Sequence, residues 1–431
     1  MSGPALRAVR PLPYRSARVE AARSPQRPRR DVVLKPYREL LATPGGLAFS
    51  SAGFVARMPI SMIGLGIVFL VVAHSGRYGL AGAVSAVFAL VNAISAPAIS
   101  RLVDRHGQRR VLLPVVVLHG VWLVTFIVLT SNDAPTWTLY VTVAAAGLFE
   151  PSLGSLVRAR WGHLLGQGPR LQTAYSFESV IDEVIFIVGP LLVTVLATQI
   201  AEQAGLIAAL VLLLSGSFAL TAQRASEPPV APRTASGGRS PLSAPGMMLL
   251  LAFMLFLGGV FGGVEISTVG YADQHGHAAL AGPLLACYAG GSMVAGIVYG
   301  SYRWRWSLPR RLFIGALTMT LTIAVLPFID QPAVLAVCLF IAGLGIAPTL
   351  ISGFSLVERL VPSGQLTEGL TWATTGIVVG IAVASPVAGR LVDDVGAQRA
   401  FMVASVSGTL AVVVCLAGLP RLHAAVADAQ Q

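Results

Sequence analysis

Charge is scarce in this chain. Only 11% of its 431 residues are charged, against about a quarter in an ordinary soluble protein, so water is not its main solvent. Lysine is nearly absent: Lys35 is the single lysine among thirty basic residues. Together with abundant Ala, Gly and Pro, this bias points to a high-GC bacterial gene and carries no chemistry. Cysteine is rare too. Cys287, Cys338 and Cys415 each sit inside a long apolar run, a pattern that suits neither a disulfide framework nor a metal site. The sequence contains no Gly-x-x-x-x-Gly-Lys-Ser/Thr loop, no His-Glu-x-x-His and no Ser/His/Asp grouping, and no soluble segment large enough to hydrolyse ATP. The expectation is a protein that is not an enzyme and uses no cofactor and no ATP. A net charge of +11 would suit nucleic acid in a soluble chain. Ten of the positive charges, however, fall within residues 1–40, ahead of the first long apolar run, so the expected partner is membrane lipid and not nucleic acid.

What is present is apolar length. Residues of hydrophobic type make up 55% of the chain, and a helix needs about 20 of them in a row to cross the hydrocarbon core. Runs of that kind lie near 47–73, 79–100, 111–131, 136–158, 172–198 and 204–222, and again near 246–271, 279–300, 311–329, 333–356, 368–392 and 400–420. Lipid tolerates no open backbone, and the alternation of a membrane barrel is missing, so each run predicts a spanning helix. With the N-terminus inside, the tail, the even-numbered connections and the C-terminal end hold twenty-six Arg and Lys. Three lie outside, namely Arg77, Arg390 and Arg399. This asymmetry predicts cytoplasmic termini in a cytoplasmic (inner or plasma) membrane.

The two halves repeat each other. A shift of 200 lays Leu80, Ala81, Gly82, Ala86, Ala89 and Arg105 on Leu280, Ala281, Gly282, Ala286, Ala289 and Arg305, so span two matches span eight. A shift of 196 to 197 lays Ala146-Gly147 and Pro151-Ser152-Leu153 on Ala342-Gly343 and Pro348-Thr349-Leu350, so span four matches span ten. The predicted fold class is an all-α membrane protein with about twelve spans in two pseudo-symmetric six-helix bundles. Residues 1–44 are expected to be a basic, disordered cytoplasmic tail, 45–223 the first half, 224–244 a Pro/Ser/Gly/Arg-rich cytoplasmic linker, 245–421 the second half, and 422–431 a short cytoplasmic tail.

Between spans two and three the chain reads Ser100-Arg101-Leu102-Val103-Asp104-Arg105-His106-Gly107-Gln108-Arg109-Arg110. This resembles the signature loop of the major facilitator superfamily, Gly-x-Leu-x-Asp-Arg-x-Gly-Arg-Arg/Lys, with Ser100 in place of the leading Gly and Gln108 in place of a basic residue. The resemblance implies a gating loop built on Arg101, Asp104, Arg105, Gly107 and Arg109, in which Asp104 latches the cytoplasmic side against the N-terminus of a facing helix. A worn copy at Gly300 to Arg310 keeps Gly300 and Arg305 but has Trp304 where the acid would stand, so gating should be asymmetric. A further copy, Gly389 to Arg399, precedes span twelve.

Charges inside a span are costly and mark solute or proton paths. Six are singled out: Arg57 in span one, Glu150 in span four, Glu178, Asp182 and Glu183 in span five, and Glu265 in span seven. Arg57 and Glu150 fall at similar depth and are expected to pair. Glu178 lies one turn from Asp182 on the same face, near enough to the cytoplasm to reach loop arginines. Two such acids should not both ionise comfortably in low dielectric, as proton coupling requires. Asp182 and Glu183 point about 100° apart, so one should face the cavity. Pro59, Gly189-Pro190 and Ser385-Pro386 are candidate bends, His119 a packed residue, and His275 and His277 loop residues.

Five buried acids against one buried Arg favour a cationic or amphipathic solute. The sequence reading is therefore a secondary transporter working by alternating access, a monomer that exports a cationic or amphipathic small molecule by proton coupling, resembling the drug/proton antiporter-like members of the superfamily. Proton symport of a nutrient and a transporter-derived sensor without flux are the alternatives.

Overall fold

A computed structural model describes residues 30–428 except 77, 231–239, 276–279 and 303. Disorder of residues 1–29, the middle of the linker, Arg77 and His277 lie outside the described residues. Among the described residues twelve helices are long and apolar enough to cross a membrane. The first six are Gly46–Ser75, Leu80–His106, Gln108–Ser131, Thr136–Leu165, Pro169–Gln199 and Ala204–Ala222. The second six are Met247–Gln274, Ala281–Ser301, Leu308–Phe328, Pro332–Leu360, Leu366–Val395 and Ala397–Ala425. An even number of spans puts the N-terminal segment, the central linker and the last helix on one side, here the linker face.

Three boundaries differ from expectation. Part of the expected tail is a helix, Arg30–Leu41, that precedes span one. Span four runs to Leu165 and so takes in Arg158, Arg160 and Trp161. The last helix continues to Asp428, so the expected C-terminal tail is helical over residues 422–428.

Proline and glycine decide where the spans are interrupted. In span one the α-helix stops at Arg57, a 3-10 turn carries Met58–Ser61 with its proline at Pro59, and the helix resumes at Ile63. Span four breaks between Leu148 and Leu153, around Glu150 and Pro151. Its repeat mate, span ten, breaks between Gly343 and Ile346. Matching interruptions of this kind are where carriers place their sites, because irregular backbone at membrane depth must line a cavity or be buried in protein. Spans five and eleven pass through Pro190 and Pro386 without losing helix.

Large aliphatic side chains point outward, as a lipid-facing surface needs: Ile94 is 80% exposed and Leu191 63%. Inside there are two apolar cores, unequal in a revealing way. One consists of residues from the first half alone, and all of them come from the parts of the spans remote from the linker face, such as Met62, Ile67, Phe88, Phe126, Val143 and Val193. The other joins the halves, with Phe49, Trp161 and Tyr175 of the first half continuous with Phe253, Leu312 and Leu356 of the second. The halves thus share packed core toward the linker face and not toward the opposite face.

Spans eight and ten meet backbone to backbone. A methyl on Gly343 would run into the Tyr288 carbonyl, and one on Gly291 into the Phe340 carbonyl. At Gly290 the nearest atom is a Phe340 ring carbon at 3.9 Å. Gly343→Leu is therefore expected to abolish monodisperse folded protein in detergent, as read by size-exclusion chromatography, whereas Gly290→Ala elutes like wild type.

Candidate functional site

Six singled-out charges separate into two groups. Arg57, at the break of span one, is only 3% exposed. Its guanidinium donates from Nε to the Gly53 carbonyl at 3.1 Å, from Nη1 to Asp182 Oδ1 at 2.9 Å, and from Nη2 to Glu178 Oε2. Asp182 also takes Arg158 Nη2 at 2.5 Å on its other oxygen. Glu178, fully buried, accepts in addition from Ser50 Oγ at 2.8 Å and Trp161 Nε1 at 2.7 Å. Two acids and two guanidiniums make a neutral quartet tying spans one, four and five, as buried ions require.

This geometry corrects three expectations. Arg57 pairs with Glu178 and Asp182, not with Glu150. Glu178 is buried against span one and does not reach loop arginines. The two acids on one face of span five are each met by a guanidinium, which offsets the repulsion expected between them. Arg158 was missed because the apolar count ended span four at that residue. Trp161, Leu164 and Leu165 beyond it carry the signal that the helix continues.

The second group has no basic partner. Among the described residues no Arg, Lys or His lies within ion-pair distance of Glu150, Glu183 or Glu265; the membrane-depth ion pairs all belong to the quartet. Glu150 occupies the break in span four, where its backbone carbonyl accepts from Asn92 of span two at 3.1 Å. Glu183, about 100° round the helix from Asp182, lies between the halves beside Ser292 and Tyr288 of span eight. The Tyr288 hydroxyl is buried without a hydrogen-bond partner. Glu265 is exposed. It lies eleven residues, or three turns, from Met254, which packs against Gly353 of span ten, so Glu265 shares the face that span seven turns toward span ten. His119 is fully buried with Nδ1 2.9 Å from the Ala146 carbonyl, a packed residue.

At the linker face the halves are joined along two seams. Between spans two and eleven, Asp104 Oδ2 accepts the Glu368 backbone N–H at 2.8 Å, at the first turn of span eleven. Arg101 pairs with the Glu368 carboxylate at 2.6 Å, and Ser100 bonds Thr371 at 2.8 Å. Gly107 holds φ +92°, the left-handed region that favours glycine. Arg109 offers its backbone N–H to Glu227 of the linker at 3.0 Å, while Arg105 is exposed and joins no ion pair among the described residues. Arg160 clamps the same linker, reaching the Gln223 carbonyl at 2.9 Å and Ser226 at 2.7 Å. A cavity of about 960 Å³ lies under this strap, lined by Asp104, His163, Glu358, Pro229 and Thr367.

Between spans five and eight the joints are mostly neutral. Thr173 donates to the Gly300 carbonyl at 2.7 Å, and from span nine Arg311 donates to Gln172 of span five at 2.9 Å. A guanidinium–ring contact adds to the closure, with Arg158 4.5 Å from the Phe354 ring centre. On the opposite face the corresponding bonds stay within one half: Gln274 accepts the Ala397 N–H at 2.9 Å and donates to Val392 at 3.1 Å.

Twelve spans in two bundles, closed on one face around interrupted helices and uncompensated acids, define a polytopic membrane carrier. The chain belongs to the Major Facilitator Superfamily, whose sequence model matches residues 49–370. Solved structures agree in fold. A bacterial homologue of the iron transporter ferroportin in its outward-facing state is 15% identical, with 86% of this chain and 98% of that one aligned at a TM-score of 0.69. The human organic anion transporter MFSD10 (TETRAN) is 17% identical over 90% and 100% at 0.63. FucP, a Major Facilitator Superfamily transporter in the outward conformation, is 13% identical over 86% and 97% at 0.65. A comparison with curated proteins gives no match. Family and fold support secondary transport by alternating access.

Removing one member of the quartet leaves a buried guanidinium undercompensated, which costs about 3–5 kcal/mol in buried pairs. Glu178→Gln is thus expected to lower the midpoint of thermal unfolding in detergent by several degrees, and Arg57→Gln in the same chain to restore part of the loss.

Proposed function

We propose that this carrier is a proton-coupled exporter of a cationic or amphipathic compound, working as a monomer in the cytoplasmic membrane with its termini and linker in the cytoplasm. The observation that carries the reading is the trio Glu150, Glu183 and Glu265. After the quartet has neutralised itself, these acids remain at membrane depth without a cation. A carboxylate in that position is stable when protonated or when a cationic solute sits against it, and a group that alternates between those states couples the two fluxes. Glu183 is the residue proposed to carry the proton, since it stands between the halves, whose relative motion changes its surroundings.

Asp104 and Arg101 are proposed as the latch of the cytoplasmic side. Interaction of a carboxylate with a helix N-terminus contributes about 0.3–1 kcal/mol. Asp104→Asn should therefore raise the open fraction of that face about two- to five-fold, read as faster alkylation of a Ser176→Cys reporter in the opposite seam.

The transport reading is tested in inverted membrane vesicles carrying an imposed proton gradient. Cationic dyes should collapse the gradient with the wild type and, with Glu183→Gln, do so at least about ten-fold more slowly. Collapse by a neutral nutrient panel in place of the cations would support the symport reading instead, and saturable, charge-driven uptake of an organic anion would overturn the cation preference.

A further inference from the structure

The N-terminal helix Arg30–Leu41 precedes span one and belongs to none of the twelve spans. Its C-terminal end belongs to the first half. Leu40 is buried in the core with Phe49 and Trp161, and Thr43, just beyond the helix, accepts from Arg170 at the start of span five at 3.3 Å. Only four residues, 42–45, separate the helix from span one. It cannot swing freely from that half.

One turn earlier, Tyr37 leaves the first half. Its ring lies 6.5 Å from that of Phe177 in span five, and its hydroxyl donates to the carbonyls of Ile297 at 2.8 Å and Gly296 at 3.1 Å, both in span eight of the second half. The neighbouring Gly300 is what makes room: a methyl there would collide with the Tyr37 hydroxyl and with Ser176 of span five. Burial pushes the Tyr37 phenol above its ordinary range, so it stays a neutral donor. Lys35 and Arg38, by contrast, are exposed and point away from the seam.

We propose that the helix Arg30–Leu41 is a clasp that holds the linker face closed, anchored on the first half through Leu40 and Thr43 and fastened to span eight through the Tyr37 hydroxyl. The clasp spans the seam between spans five and eight, where the second half has no acid to match Asp104. It supplies from outside the bundles the fastening that the worn loop, with Trp304 in place of an acid, does not. Opening this face separates span eight from span five, and the Tyr37 bonds must break with it. The inference goes beyond the transport reading, because the clasp would fasten the face whatever solute or ion the carrier moves.

The test reads conformation and not flux, so its failure is distinguishable from failure of the exporter reading. In full-length protein in lipid nanodiscs, with Cys287, Cys338 and Cys415 replaced by Ala, a Thr371→Cys reporter sits buried at the other seam. Its alkylation rate by a membrane-impermeant maleimide is proportional to the open population of the linker face. Tyr37→Phe is expected to raise that rate about five-fold, the equivalent of one hydrogen bond of ordinary net strength. Gly300→Ala should act in the same direction, and Lys35→Ala should leave the rate unchanged. Equal rates in wild type, Tyr37→Phe and a chain lacking residues 1–41, with all three monodisperse, would overturn the clasp. So would an equal acceleration by Lys35→Ala, which would assign the effect to surface charge.

Discussion

A guanidinium inside a membrane protein persists only where carboxylates meet it, and this constraint organises the first half. Arg57 sits at the point where Pro59 interrupts span one, and the interruption lets its side chain reach two acids of span five at once. Arg158 completes the arrangement from span four. Three helices are thereby held by charge around the fully buried Glu178 and the nearly buried Arg57, and the energy of each pair depends on the other. Around this fixed point the remaining acids acquire meaning. Had Arg57 faced Glu150, Glu178 would have been left without a cation; because it faces span five, the uncompensated acids among the described residues are Glu150, Glu183 and Glu265.

Much of the architecture was legible in the residues. Twelve apolar runs, the Arg-rich connections and the internal repeat led to the twelve helices in two bundles, because lipid allows so few alternatives. The superfamily resemblance of Ser100 to Arg110 led to the family. Side-chain partners were much less legible. Depth along a span orders residues in one dimension, and Arg57 and Glu150 have matching depths, but which helix faces which is settled by packing that hydropathy does not encode. Arg158 was lost to a boundary estimate, since apolar counts stop at the first charge even when Trp161 and Leu164 continue the helix. The helix Arg30–Leu41 was hidden for a different reason: its surroundings are so rich in Arg, Ser and Pro that composition alone reads as disorder, whereas Tyr37 and Leu40 give it a buried face.

The two seams of the linker face are closed by different chemistry. That between spans two and eleven rests on a carboxylate at a helix terminus and on Arg101, which is 41% exposed, against Glu368. That between spans five and eight rests on hydroxyl-to-carbonyl bonds, from Thr173 to Gly300 and from Tyr37 to Ile297. Dissolved ions screen the first and leave the second nearly untouched. The face is thus hung like a door, with a salt-sensitive edge and a salt-indifferent one. At high ionic strength the edge at spans two and eleven would loosen first, leaving the uncharged fastenings between spans five and eight, Tyr37 among them, as the last to break before the face opens.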